Sequence, residues 1–209
     1  MSKIEIFNID CMEGMKRYPD KYFDLAIVDP PYGIGAEKGT GDYSKALSPK
    51  GKHWDKVPEE KFFSLLGWVS TNQIIWGGQY FRLQHCRGWI CWYKTDEVKG
   101  RDFSEFELAW TSFDRPARHI ELKPFIKNGE RIHPTQKPVA LYKWLLKNYA
   151  KEGDLILDSH LGSGSIAIAC YDMGFDLVGF EIDKDYYEGA MKRLDEHQRQ
   201  MRLNLSLRV

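Results

Sequence analysis

The stretch Leu155-Ile156-Leu157-Asp158-Ser159-His160-Leu161-Gly162-Ser163-Gly164-Ser165 decides the fold. The run from Asp154 to Asp158 that leads into it is short and apolar, of the kind found in strands buried on both faces. Two closely spaced glycines follow, and helical spacing then predicts a helix from about Ser165 to Met173. Leu177 to Ile182 reads as the next strand, with Glu181 near its end, nineteen positions after Gly162. Strand, glycine turn, helix and strand make the repeating unit of an α/β protein. Glycine lets a backbone approach a ligand with no Cβ between them, and the first N–H groups of the helix point unpaired into the turn. A carboxylate at the end of the second strand suits the two hydroxyls of an adenosine ribose. Asp158, His160, Gly162, Ser163, Gly164, Ser165, Glu181 and Ile182 are therefore candidate cofactor-binding residues. The spacing alone does not choose the nucleotide: Gly162, Gly164 and Ala167 also satisfy the dinucleotide pattern, so a nicotinamide oxidoreductase competes here.

Outward from this unit, strands and helices continue to alternate. Phe23 to Val28 reads as a buried strand stopped by Asp29-Pro30-Pro31. Glu59 to Val69 has helical spacing, and Gln73 to Trp76, Gly88 to Tyr93 and Glu105 to Thr111 read as strands. Pro138 to Tyr149 is a helix with proline near its start, and Asp185 to about Gln200 is an amphipathic one. The expected fold class is α/β, a single mostly parallel sheet with helices on both faces. The expected organisation is one domain over residues 1–209, with a mobile loop at about 33–57 and an irregular insert at about 112–132.

With 209 residues the chain is long enough for one good core. No apolar run approaches the roughly 20 residues that span a bilayer, and Met1 to Glu5 lacks the blocks of a signal peptide. Cys11, Cys86, Cys91 and Cys170 have no metal-ligand spacing, so reduced thiols, no metal and a cytoplasmic protein are expected. The net charge is zero but unevenly spread. Residues 112–137 hold six Lys/Arg against three Asp/Glu, whereas residues 150–190 hold two against nine. A neutral chain can still offer phosphates a basic face.

The tetrapeptide Asp29-Pro30-Pro31-Tyr32 separates the competing readings. An exocyclic amine is a poor nucleophile because its lone pair is delocalised into the ring. Two acceptors on its two N–H bonds draw the nitrogen toward tetrahedral geometry. Asp29 supplies a carboxylate, and the Pro30 carbonyl supplies the second acceptor. Two prolines stiffen the backbone and so preorganise both, while Tyr32 offers a ring for stacking. A base inside a duplex reaches such a pocket only by flipping out. Asp29, Pro30, Pro31 and Tyr32 are the candidate catalytic residues.

On these residues the chain resembles the DNA amino-methyltransferases that act on adenine N6 or cytosine N4. The tetrapeptide precedes the glycine turn, an order similar to the family's circularly permuted β-type. Asn8-Ile9-Asp10-Cys11, Ile75-Trp76-Gly77-Gly78, Trp89 to Lys94, Glu107 to Thr111 and His133-Pro134-Thr135-Gln136-Lys137-Pro138 resemble further family segments. The resemblance implies S-adenosyl-L-methionine as cofactor. It adds Asp10 and Cys11 beside the cofactor adenine, and His133, Thr135, Gln136 and Lys137 beside its methionine end. It implies double-stranded DNA as substrate; the basic insert and its surroundings offer Arg101, Arg115, Arg118, Lys123, Lys127 and Arg131 as candidate DNA contacts, and the loop after the tetrapeptide offers Tyr43 and Trp54. A homodimer and a companion restriction enzyme are the further partners it suggests. Ser159 and His160 depart from the family's usual Pro-Phe in the turn, and residues 112–132 are short for its target-recognition segment. Asp29 leans the reading to adenine N6. Cytosine N4 is the alternative, ahead of RNA methylation, an inactive DNA-binding subunit and the nicotinamide oxidoreductase.

Overall fold

The structure, a computed structural model, describes residues 2–35, 54–100, 104–124 and 131–206. The elements are β1 (Ile4–Asn8), α1 (Cys11–Met15), β2 (Phe23–Val28), α2 (Glu60–Val69), β3 (Ser70–Trp76), β4 (Trp89–Tyr93), β5 (Phe106–Thr111), β6 (Arg118–Glu121), α3 (Val139–Tyr149), β7 (Leu155–Asp158), α4 (Ser165–Met173), β8 (Asp176–Glu181) and α5 (Lys184–Ser206). Among the described residues, eight strands form one sheet in the order β1-β8-β7-β2-β3-β5-β4-β6. Only the β3–β5 and β5–β4 pairings are antiparallel. Because β5 alone is reversed, the C-terminal ends of β2, β3 and β4 and the N-terminal end of β5 share one edge of the sheet.

The alternation within β2 builds both faces. Leu25 and Ile27 point to one cluster, Ala26 and Val28 to the other. The first cluster gathers α3 through Leu141, Leu145 and Leu146, α4 through Ile166 to Cys170, and α5 through Ala190 and Leu194. The second gathers Met15 of α1 with Phe62, Leu66 and Val69 of α2. The chain thus leaves β7 toward one face and leaves β2 toward the other, although β7 and β2 are neighbours. Such a switch opens a crevice at the C-terminal edge, where α/β proteins place their ligands.

One expectation needs correction. Residues 112–132 are not wholly irregular: Arg118–Glu121 pairs in parallel with β4 and closes the sheet. Four residues are too few for periodicity to reveal, and their exposure on an edge removes the apolar alternation. The strand β1 and the short α1, for which no element was expected, form because Lys3 to Asn8 lies beside β8 and Asp10 caps the helix through Met12 N–H at 2.7 Å. Among the described residues, no helix is long and apolar enough to cross a membrane.

Candidate active site

At the ends of β1, β7 and β8 the glycine turn and its acid meet. Asn8 pairs with Glu181 in the sheet, which sets Asp10 and Cys11 beside Glu181. The two oxygens of Glu181 accept from Gly162 N–H and Asp183 N–H, both at 2.8 Å. That clamp aims a largely buried carboxylate into the turn, and burial raises its pKa. Asp158 is buried and accepts from His160 N–H at 2.9 Å. Burial pushes it up to about 8, against the pull of that N–H. Gly164 is left-handed, φ 69°, and a Cβ there would sit 3.0 Å from Ala190 of α5. Ser163 and Ser165 are buried and share a hydrogen bond at 3.2 Å, while Ile182 is 68% exposed. Burial also pushes the Cys11 thiol up to about 12, so it is a neutral lining group.

His133 to Pro138 lies across the mouth of this turn. The His133 ring faces Gly162 and stands edge-on to Tyr186 at 4.3 Å. Thr135 Oγ1 lies 3.1 Å from His133 Nδ1, and Gln136 Oε1 accepts from Ile132 N–H at 2.9 Å. Burial, with the charges of Lys137 and Arg131, lowers His133 to about 4, and burial lowers His160 to about 4. The His160 ring stands edge-on to Phe62 at 5.2 Å. An imidazole there occupies an apolar setting, and its Nδ1 is satisfied by Ser159 Oγ at 2.8 Å.

The end of β2 is adjacent, because Ala26 pairs with Leu157. Asp29 Oδ1 accepts from the Tyr32 hydroxyl at 2.6 Å, and Asp29 Oδ2 accepts from Lys137 Nζ. Lys137 therefore joins the Asp29–Tyr32 tetrapeptide rather than the glycine turn. It also meets Glu107 Oε2 at 3.2 Å, and Glu107 Oε1 meets Lys94 at 2.7 Å. Burial alone would raise the Glu107 pKa, but Lys137 and Lys94 hold it down to about 2. Tyr32 stacks on Tyr80, centroids 5.3 Å apart and planes at 24°. Tyr80 is 43% exposed, so the ring that faces outward is Tyr80.

The expected DNA contacts divide. Tyr43, Arg101 and Lys127 lie outside the described residues, as does most of the 33–57 loop. Arg115 is turned inward: its guanidinium lies 4.8 Å from the Phe113 ring and 4.5 Å from the Tyr149 ring, and it donates to the Asn148 carbonyl at 2.9 Å. Arg131 donates to the carbonyls of His133 and Pro134. Both arginines hold the protein's own backbone in this structure. Trp54 packs toward His133, ring centroids 5.9 Å apart, and so stands by the glycine turn instead of projecting as a wedge. Arg118 is exposed and reaches Asn148 Oδ1 at 3.3 Å, and Lys123 is exposed.

Lys94, Glu107 and Tyr80 enter the site without having been among the candidate residues. A signal for the first two existed: both are charged residues in or beside apolar strands, and such residues are rarely buried unless paired. Tyr80 carried none, because its partner is set by the short turn after Gly77.

A family model described as DNA methylase, for N6 and N4 methyltransferases, matches residues 75–192. The Type II methyltransferase M.HpaI of Haemophilus parainfluenzae is 26% identical, over 89% of this chain and 72% of its own length. The solved M1.HpyAVI–SAM complex has a TM-score of 0.58 at 21% identity, covering 91% of this chain and 100% of that one. The solved PvuII DNA methyltransferase, cytosine-N4-specific, has a TM-score of 0.64 at 13% identity, covering 92% and 86%. The two structures are alike in fold.

Proposed function

The chain belongs to the N6/N4 DNA methylase family, and from that premise we propose that it methylates the N6 amine of an adenine flipped out of double-stranded DNA at a specific sequence. S-adenosylmethionine is the family's methyl donor. The residues fit it: a buried carboxylate, Glu181, is held beside two positive-φ glycines, Gly162 and Gly164, as the ribose and backbone of a nucleoside require. When bound, it supplies a sulfonium methyl whose C–S bond breaks as a C–N bond forms, the amine releasing one proton.

This chain's residues do the rest. Glu181, Gly162 and the His133 to Gln136 segment bind and orient. Asp29 accepts one amine N–H, and the Pro30 carbonyl accepts the other. Stacking against Tyr32 and Tyr80 holds the base. Preorganised acceptors supply the rate, since nothing must reorganise as charge develops. The observation that carries the adenine reading is Asp29 itself, a carboxylate at the edge of the same crevice as Glu181. Arg118 and Lys123 remain proposed phosphate contacts. The Type II relative supports a companion restriction enzyme, and a homodimer would enlarge the DNA footprint of so small a chain.

Two experiments test this. Incubation with S-adenosylmethionine and unmethylated duplex DNA, then nucleoside mass spectrometry, is expected to yield N6-methyldeoxyadenosine. N4-methyldeoxycytidine would keep the site and change the base. Asp29→Ala is expected to abolish transfer while calorimetry still shows cofactor binding. Retained transfer would remove Asp29 from the mechanism.

A further inference from the structure

Lys137 sits in the segment that crosses the glycine turn, yet its side chain runs the other way. It is 4% exposed. Its ammonium meets Asp29 Oδ2 and Glu107 Oε2, with the Trp76 ring at 5.3 Å and the Tyr32 ring at 5.9 Å. Behind it, Glu107 is held by Lys94. Four charges thus alternate along one line, Asp29, Lys137, Glu107 and Lys94, and they sum to zero. The line is assembled from four separate places in the fold: the end of β2, the segment before α3, the start of β5 and the residue after β4.

Resting on the reading of Asp29 as an acceptor for the exocyclic amine, we propose that Lys137 is a positioning residue for methyl transfer. Anchored by Glu107, it fixes Asp29 through Oδ2 and leaves Oδ1 to the incoming amine. The Tyr32 hydroxyl donates to Oδ1 at 2.6 Å and so marks where an amine N–H is received. A carboxylate offers about four lone-pair positions, so Oδ1 has room for a second donor. Two needs of the reaction explain an ammonium here. An acceptor turned away from the amine does not draw the nitrogen toward tetrahedral geometry, and one fixed oxygen sets the direction of the other. A carboxylate buried without a cation is also costly to keep charged, and as a neutral acid it would offer a proton where the amine needs a lone pair. Glu107 keeps Lys137 from turning toward the cofactor side, and Lys94 balances Glu107.

The test uses the full chain with Lys137→Gln, Lys137→Arg and Glu107→Gln. S-adenosylmethionine affinity is read by calorimetry, and kcat and KM by transfer of labelled methyl to unmethylated duplex DNA. Lys137→Gln is expected to lose about 100-fold in kcat, the scale of removing one preorganised electrostatic partner. Its cofactor affinity and KM values are expected to stay within about threefold of wild type. Lys137→Arg restores part of the rate, and Glu107→Gln falls between. Cofactor affinity falling in step with the rate would return Lys137 to the cofactor site and overturn the proposal, as would a Lys137→Gln rate near that of wild type. If Lys137→Gln does not fold, Glu107→Gln and Lys137→Arg decide the matter by the same split between rate and affinity. Wild-type protein that binds cofactor but methylates no DNA base would overturn the function itself, and the role of Lys137 with it. An active wild type beside an unaffected Lys137→Gln overturns the positioning role alone.

Discussion

Gly77 shows how much one residue carries. Its φ is 69°, and a Cβ built on it would lie 2.2 Å from Tyr32 Cε1, with two more ring carbons within 2.7 Å. Any side chain there pushes the Tyr32 ring away from Asp29 as well as straining the backbone. Gly77→Ala is expected to destabilise the fold by roughly 1–3 kcal/mol and to lower kcat. Denaturant unfolding and steady-state transfer check the two effects, and wild-type values in both would show that Tyr32 need not sit where it does. Glu181 acts at the same scale on the other half of the crevice. Its carboxylate ties Gly162 to Asp183, so Glu181→Ala is expected to weaken S-adenosylmethionine binding, read by calorimetry. Unchanged affinity would show that Glu181 is not the ribose ligand.

At the scale of elements, the glycine turn depends on a helix remote in sequence. Arg193 of α5 donates to the Ser163 carbonyl and to Ser165 Oγ, both at 2.9 Å. It thereby pins the turn and the start of α4. Removing it leaves buried Ser165 without that partner and frees the turn. Arg193→Ala is expected to cost roughly 1–3 kcal/mol of stability and to lower cofactor affinity severalfold, with thermal melts and calorimetry as the measurements. The elements themselves were mostly legible. β2, α2, β7, α4 and β8 fall within a residue or two of where periodicity puts them, because each buries a face wide enough to leave a pattern, whereas β3 begins three residues before the expected Gln73. β6 was not legible, since a four-residue strand on an edge owes its state to β4 beside it.

Over the whole molecule, two half-buried imidazoles flank the crevice. His133 and His160 are held to about 4, against the usual 6.5. The unfolded chain therefore binds more protons between those values. Stability is full above pH 6.5 and falls as pH drops through the window. The melting temperature is expected to be lower at pH 5 than at pH 7.5, and His160→Phe to flatten part of that slope, since a phenyl ring in contact with Phe62 takes up no proton. A slope unchanged in His160→Phe would show that His160 contributes none of it.

By itself, the sequence determined the fold class, the glycine turn with its acid, and the tetrapeptide. Each rests on a local rule: burial writes a period, a turn demands glycine, and an amine needs acceptors at a strand end. Tertiary structure alone decided that β7 and β2 are neighbours that send their helices to opposite faces, which sets Asp29 beside Asp158. It alone turned Arg115 and Arg131 inward, since a guanidinium seen in sequence does not say whether a carbonyl or a phosphate will receive it. It alone carried Lys137 from the cofactor side to Asp29. Partners in an ion pair 108 positions apart leave no spacing to read, because only the folded chain brings the end of β2 and the segment before α3 together.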